Sequence, residues 1–579
     1  MMTKSWTGRF ARGGVVLAVF ASSVLRHAAA PPAFIPPIDV EVPATIPPEV
    51  SNWRYATCDG VEVLAAAGEE STRIYVENIA LQRANLDAIL PRDLRISWDR
   101  PITVVLYGVE NPRPMPGIFG PMLSKVYTDR ERERAAENRE GKPLEVRVEP
   151  RIMPGAFVAD ADAIAVFNIV QPKVKASELS GLPASSYVTY LLQSRTPPLP
   201  AWFIDGLTAF FAQATVTGAD LDLPPFTWIS PAQTQLMLKD KSMPVEFLPM
   251  AEVFAHVNHA TLPADERRKL TVRSQAALLV RWCLEGRAAG GPESLWKFVR
   301  GVRPGVDLEA HFSTCFGMST ADAVDAMRAF LPGAIRKPAR VRLARAGRLP
   351  PVEVRAATPA EVARITGEWS RLAARMAGDA QPVLRSFYDE VARRSVAVGP
   401  DNATADPELL AGRGLVAVDT GDDTTALPLL EAACAAPHPR PRAVVERARI
   451  RLAQAKAGLA PDGRLDVAAI AAIVDPLRDV LAARPPMARA YQVMAEAWTV
   501  AETPPSEADL ALLAAGVETV PGDASLVIAA ARLFMDVGWV EQAGTAVENG
   551  LAYVTDAASR RRLYAFRSAV RAAAPKKTP

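Results

Sequence analysis

The chain has 579 residues, too many for one ordinary hydrophobic core, so two or three domains are the default. Hydrophobic residues make up 49% and charged residues 22%, the balance of a soluble globular protein. With 66 basic against 64 acidic residues the net charge is only +2, which excludes the one-signed field of an electrostatic nucleic-acid binder.

Lys4, Arg9 and Arg12 precede an apolar run of eleven, "VVLAVFASSVL", too short to cross a bilayer comfortably, and "AAA" at 28–30 follows it. This pattern predicts a signal peptide over 1–30 and export to the periplasm or beyond; an uncleaved membrane anchor is the competing reading. No cysteine follows "AAA", which argues against a lipid anchor. No later apolar run is long enough to span a bilayer, so no integral membrane segment is expected after cleavage. Fifty prolines and a heavy use of Ala and Arg have the look of a GC-rich bacterial sequence. Residues 31–50, "PPAFIPPIDVEVPATIPPEV", predict an extended proline-rich linker.

From 51 the pattern is α+β. Alternating valines predict a strand over 61–64, and apolar residues at helical spacing (Val76, Ile79, Ala80, Leu86, Leu90) predict a helix over 69–90. "ITVVLYG" at 102–108 is a β-branched apolar run, hence a strand. "GAFVADADAIAVFN" at 155–168 predicts a hairpin with Asp160–Asp162 at its turn. The alternating charges of "DRERERAAENREGK" at 129–142 predict a solvated loop or exposed helix. From about Ser186 to Leu331 the pattern is helical: "SQAALLVRWCLEG" ends at a glycine, and "STADAVDAMRAFL" opens on a Ser319–Thr320 cap and closes before Pro332. The basic stretch 336–358 is taken as a linker.

Residues 359–573 predict an all-α array. "DPELLAGRGLVAVDTGDDTTALPLLEAACAAPHP" carries Leu410, Gly414, Ala426, Leu430 and Ala433 in a small–large rhythm of about 34 residues. The same arrangement returns in Val527, Ala531, Phe534, Ala543, Val547 and Gly550, whereas 442–520 is irregular. These segments resemble tetratricopeptide repeats, and the resemblance implies an α-solenoid with a concave protein-binding surface; a generic helical array is the bland alternative.

Isolated titratable residues offer little chemistry. Cys58, Cys283, Cys315 and Cys434 form no CxxC pair; Cys283 with Cys315 is the most plausible disulfide, with unpaired buried thiols an equal expectation. The histidines beyond residue 30 are His256, His259, His311 and His438, and none lies in a His-Glu-x-x-His. His256 and His259 could share a helix face, but without an evident third ligand a solvated helix end or loop is the simpler reading. "AAGGPES" at 288–294 lacks the lysine–serine ending of a phosphate-binding loop, and no Gly-x-Ser-x-Gly elbow is present.

One stretch is more specific: "SSYVTYLLQSRTPPLPAWFIDGLTAFFA", 185–212. "SSYVTYLL" is similar to the His-Glu-Tyr-x-His-x-Leu-Leu of the gluzincin zinc peptidases, the peptidase-MA clan. "PPLPAWFIDGLTAFFA" resembles their Pro-x-Trp-x-x-Glu-Gly-Leu-Ala-x-Phe. By this resemblance Ser185 stands at the first His, Ser186 at the general base, Thr189 at the second His and Asp205 at the third ligand, while Trp202, Gly206 and Leu207 keep the framework. The likeness extends over 51–335 through "LPMAEVFAHV" and "HFSTCFGMSTADAVDAMRAFL". It implies an α+β zincin-like domain followed by tetratricopeptide-like repeats, an order found in bacterial secreted proteins.

The substitutions at those four positions decide what is expected of the site. Neutral hydroxyls bind zinc poorly, and a serine hydroxyl does not titrate near neutral pH as a general base must. No metal or other cofactor is therefore expected. The expected function is that of an exported, non-catalytic pseudopeptidase with a protein or peptide partner in the cell envelope. Tyr187 is expected in the core, with Ser185, Thr189 and Asp205 lining the cleft. Asp205 has a bland reading as a carboxylate near a helix N-terminus. The alternative is a hydrolase working from another site, with Asp160, Asp162 and Asp205 as its best acidic candidates.

Overall fold

The computed structural model describes residues 53–58, 60–95, 98–108, 156–170, 188–189, 191–193, 195–217, 220–240, 245–256, 262–303, 305–342, 351–397, 406–460, 463–554 and 556–573. The expected signal peptide, the linker over 31–50 and the charged segment 129–142 lie outside them, as do Ser185, Ser186, Tyr187 and His259.

The chain opens with β1 (Arg54–Cys58), β2 (Val61–Ala66), α1 (Glu69–Ile89), β3 (Ile102–Gly108), β4 (Ala156–Ala159) and β5 (Ile164–Val170). Helical residues at 188–189 and 191–193 come next, then α2 (Ala201–Gln213), β6 (Thr215–Thr217), β7 (Asp220–Leu223), α3 (Pro231–Lys239) and α4 (Met250–Phe254). Four helices follow, α5 (Glu266–Leu284), α6 (Gly291–Gly301), α7 (Leu308–Phe316) and α8 (Thr320–Ala334), and then β8 (Ala339–Arg342) and β9 (Glu353–Ala356). The remainder is helical: α9 (Pro359–Ala377), α10 (Pro382–Ala397), α11 (Pro407–Asp419), α12 (Asp423–Cys434), α13 (Pro441–Ala457) and α14 (Val467–Asp479). It ends with α15 (Ala488–Thr499), α16 (Glu507–Thr519), α17 (Ala524–Asp536), α18 (Val540–Tyr553) and α19 (Ala557–Ala573).

A mixed six-stranded sheet, in the order β4-β5-β3-β2-β1-β9, organises the first part. β2, β3 and β5 run parallel, and the outer pairings are antiparallel. The parallel strands are apolar on both faces because both faces are covered. Val61, Val63, Ala65, Val104, Leu106 and Val166 turn to one core, shared with α1, α2 and α5. Leu64, Ala66, Val105, Tyr107, Ala165 and Phe167 turn to the other, against Val362, Ile365, Trp369 and Leu372 of α9 and Phe387 and Tyr388 of α10. Trp369 meets the ring of Phe167 edge-on, with centroids 6.0 Å apart.

The sequence expectations need amendment here. The stretch 336–358, taken as a linker, supplies β8 to a small antiparallel sheet with β6 and β7, and β9 to the edge of the main sheet beside β1. The β6–β7 hairpin also interrupts what read as a purely helical segment. Its strands are only three and four residues long, too short for a period-2 signal to stand out. Helix α8 has the expected Ser319 cap, completed by Asp322, but runs on past Pro332 to Ala334. The Cys283–Cys315 bridge does not form; both residues are buried as thiols.

Beyond α10, consecutive helices pack on one another, and alternate ones (α9, α11, α13, α15, α17, α19) also touch in series, which makes a two-row array. Small residues sit where the helices cross. A Cβ on Gly414 of α11 would lie 2.6 Å from Leu430 of α12, and one on Gly550 of α18 would lie 3.0 Å from Val527 of α17. Both glycines belong to the repeat-like patterns, and their apolar companions Leu430, Ala433, Val527, Ala531, Phe534, Ala543 and Val547 are buried.

Candidate functional site

The chemistry-bearing stretch folds around α2. Pro200 precedes the helix, and Trp202 is buried in its first turn against Phe203, Phe254 and Phe298, with ring centroids 5.2–5.8 Å apart. The backbone N–H of Trp202 donates to the backbone carbonyl of His256. His256 is buried at the end of α4, not on a solvated helix end. Gln275 of α5 grips the segment leading into α4: its amide nitrogen donates 2.7 Å to the Leu248 carbonyl, and its oxygen accepts 2.9 Å from the Leu248 N–H.

Gly206 shows why the framework words are spelled as they are. A Cβ there would lie 2.7 Å from the Ala276 carbonyl oxygen and 2.8 Å from Val280. Helices α2 and α5 cross so closely that only glycine fits. Leu207, the next framework residue, is wholly buried.

The polar positions flank this crossing. Asp205, one residue before Gly206, receives a 3.2 Å hydrogen bond from Nε of Arg273, which lies one turn before Ala276 on α5. The two side chains are 15% and 23% exposed, so the pair is largely withdrawn from water. Asp205 is thus half of an ion pair across the α2–α5 crossing, and the helix-dipole reading does not account for it. Thr189 shares a 3.0 Å hydroxyl–hydroxyl hydrogen bond with Thr208, one turn beyond Asp205. Its neighbours Val188, Leu191 and Leu192 are buried in the core shared with α2. Thr189 is thus hydrogen-bonded to α2, the helix that carries Asp205.

The donor set does not fit zinc. Thr189 offers a neutral hydroxyl already hydrogen-bonded, and Asp205 is already paired with a cation. No group of three or more His, Cys, Asp or Glu placed to hold a metal occurs among the described residues.

Of the acidic candidates for another kind of site, Asp205 pairs with Arg273, whereas Asp160 and Asp162 share a different environment. Asp160 and Asp162 occupy the β4–β5 turn, as expected, but their carboxylates are buried in a cluster of arginines from the helical array. Oδ1 of Asp160 closes the turn by accepting from the N–H groups of Asp162 and Ala163. Oδ2 takes Arg371 at 2.7 Å and also Arg442. Arg440 holds both oxygens of Asp162, at 2.7 and 2.8 Å, and reaches Glu368 at 2.7 Å. Asp419 closes the cluster through Arg371, Arg375 and Arg442. Burial resists the charge on Asp160 and Glu368, but Arg371 and its neighbours outweigh it and hold both carboxyls well below the ordinary range. Such groups remain ionised and occupied, which suits a structural clamp rather than proton transfer.

Nothing in the sequence paired these residues. A second such contact, also missed, joins Glu62 of β2 to Arg364 of α9 at 2.5 and 2.9 Å, with Thr103 donating 2.6 Å to the same carboxylate. A charged residue in the apolar alternation of β2 was the available signal.

Between the α12–α13 connection and the end of α14 lies an open groove of about 750 Å³. Pro437, Pro439, Pro476, Val444 and Val480 wall it, and Asp99, from the segment before β3, reaches its rim.

No family model matches this sequence, and no curated protein matches it. Among solved structures, the crystal structure of the P58(IPK) TPR domain is matched over 68% of this chain and 94% of that chain, at 10% identity and a TM-score of 0.16. A score that low carries no weight for the fold, and the array is defined by its own helix packing.

Proposed function

We propose that this chain is an exported, non-catalytic relative of the gluzincin zinc peptidases that binds a protein or peptide partner in the cell envelope. The observation that carries the reading is the Asp205–Arg273 ion pair at the position where the clan places its third metal ligand. It stands beside a framework, Trp202, Gly206 and Leu207, that close packing alone is sufficient to preserve. Loss of the ligands removes catalysis without removing the walls that could cradle an extended chain. The tetratricopeptide-like array adds a second surface of the kind used for partners, and its proline-walled groove has room for a peptide segment. The near-neutral net charge favours recognition by shape and apolar contact over long-range steering.

Three measurements test this. Elemental analysis of the purified protein is expected to find no stoichiometric zinc, and a screen against peptides, esters and glycans no turnover. Cross-linking in intact cells is expected to trap a partner on the outer side of the inner membrane. One tightly bound zinc per chain, lost in Asp205→Ala, or hydrolysis abolished by that change, would overturn the non-catalytic reading. Retention of the protein in the cytoplasm would overturn export.

A further inference from the structure

If the chain descends from a zinc peptidase, its site once held a divalent cation, and the residues now present do not suit one. We infer that Arg273 is the resident cation of this site: a guanidinium tethered to α5 that replaces the metal's charge beside Asp205 and keeps divalent ions out. This inference rests on the reading under Proposed function.

Three observations support it. The guanidinium binds the one acidic residue at the ligand positions, Nε to Oδ2 at 3.2 Å, so that carboxylate's charge is already neutralised. Its Nη2 is buried without a hydrogen-bond partner, so that end of the guanidinium faces the protein interior. Its place is also set by backbone rather than by a long side chain's wandering. Asp205 and Arg273 flank the Gly206–Ala276 crossing, where the two helices are as close as glycine allows. A divalent ion on Asp205 would therefore stand within a few ångströms of a like charge, largely out of water, where repulsion is poorly screened. Losing His and Glu at 185, 186 and 189 would abolish metal binding passively. A cation at 273 abolishes it actively and keeps α2 and α5 tied.

The consequence is that restoring the ligands is not enough. In the full chain, the fourfold variant Ser185→His, Ser186→Glu, Thr189→His, Asp205→Glu is compared with two fivefold variants that add Arg273→Gln or Arg273→Lys. Zinc affinity is read by competition with a chromogenic chelator, and folding by circular dichroism and thermal denaturation. The fourfold and Arg273→Lys variants are expected to fold and bind zinc no better than the starting protein. The Arg273→Gln variant is expected to bind at least about 100-fold tighter, a modest share of the repulsion relieved.

If the fourfold variant binds zinc as tightly with Arg273 in place, the inference about Arg273 falls while the motif reading stands. If both fold and neither binds, the four positions do not converge, and the zinc-peptidase reading falls with the inference. Should the larger sets fail to fold, Thr189→His with Asp205→Glu, with and without Arg273→Gln, makes the same comparison at lower affinity.

Discussion

Asp160, in the turn between β4 and β5, accepts a 2.7 Å hydrogen bond from Arg371, which lies 211 residues further along the chain. The two side chains are 2% and 1% exposed. The cluster they belong to alternates sign throughout, with Asp160, Asp162, Glu368 and Asp419 against Arg371, Arg440 and Arg442. A buried set of this kind adds little net stability over apolar packing, but removing one member strands its partners without a counter-charge. Asp160→Ala is expected to cost about 3–5 kcal/mol in denaturant unfolding. A loss under about 1 kcal/mol would mean that water reaches the arginines and the cluster is not buried.

The same charges set an acid limit. Burial opposes the ionised Glu62, yet Arg364, then Thr103 and Arg100, outweigh burial and lower its carboxyl from the ordinary 4.5 to about 2. Asp160, Glu368 and Asp419 are displaced in the same direction. A carboxyl with a depressed folded-state pKa stabilises fully above its unfolded value and loses that contribution as pH falls through the folded value. Stability should therefore be flat above about pH 5.5 and fall between about 4.5 and 2. For Glu62 alone the loss is about 3 kcal/mol. Thermal denaturation across pH 2–7 reads this directly, and Glu62→Gln should be less stable at pH 7 but less sensitive to acid. An unchanged acid slope in that variant would count against the Glu62–Arg364 pair.

Gly206→Ala places a methyl group 2.7 Å from the Ala276 carbonyl, against backbone that cannot swing aside. Expected destabilisation is about 1–3 kcal/mol, from overpacking. The exposed change Arg267→Gln, on α5, should be almost neutral. Equal effects of the two substitutions on the unfolding midpoint would refute the close crossing.

The sheet and the helical array should not survive separation. A chain ending at 357 leaves Leu64, Ala66, Val105, Tyr107 and Phe167 uncovered, and leaves Asp160, Asp162 and Glu62 without their arginines. It is expected to aggregate or to unfold without cooperativity. A soluble fragment with a sharp thermal transition would show that α9 and α10 are dispensable covers.

The repeat-like positions of 407–434 and 524–553 were legible because they are local. Gly414 faces Leu430 and Gly550 faces Val527 across short connections, and the small–large rhythm records that close approach. The hairpin at Asp160–Asp162 and the strand over Ile102–Gly108 were legible for the same reason. What 336–358 does was not. β9 is four residues of mixed polarity at a sheet edge, and its strand character comes from pairing with β1, some three hundred residues earlier.

Periodicity and turn chemistry thus sufficed to determine the strands and helix of 61–108, the hairpin at Asp160–Asp162 and the helical character of 359–573, but not the short strands β6 to β9. The stretch around Trp202 and Gly206 stood out instead through its resemblance to the gluzincin motif, which is carried by residues a few positions apart. Only the tertiary structure decided that Asp205 is answered by Arg273, that Asp160 and Asp162 are clamped by Arg371, Arg440 and Arg442, and that α9 closes the second face of the sheet. The physical reason is that a buried charge requires a counter-charge but places no restriction on where along the chain it comes from, and the fold alone brings the two together.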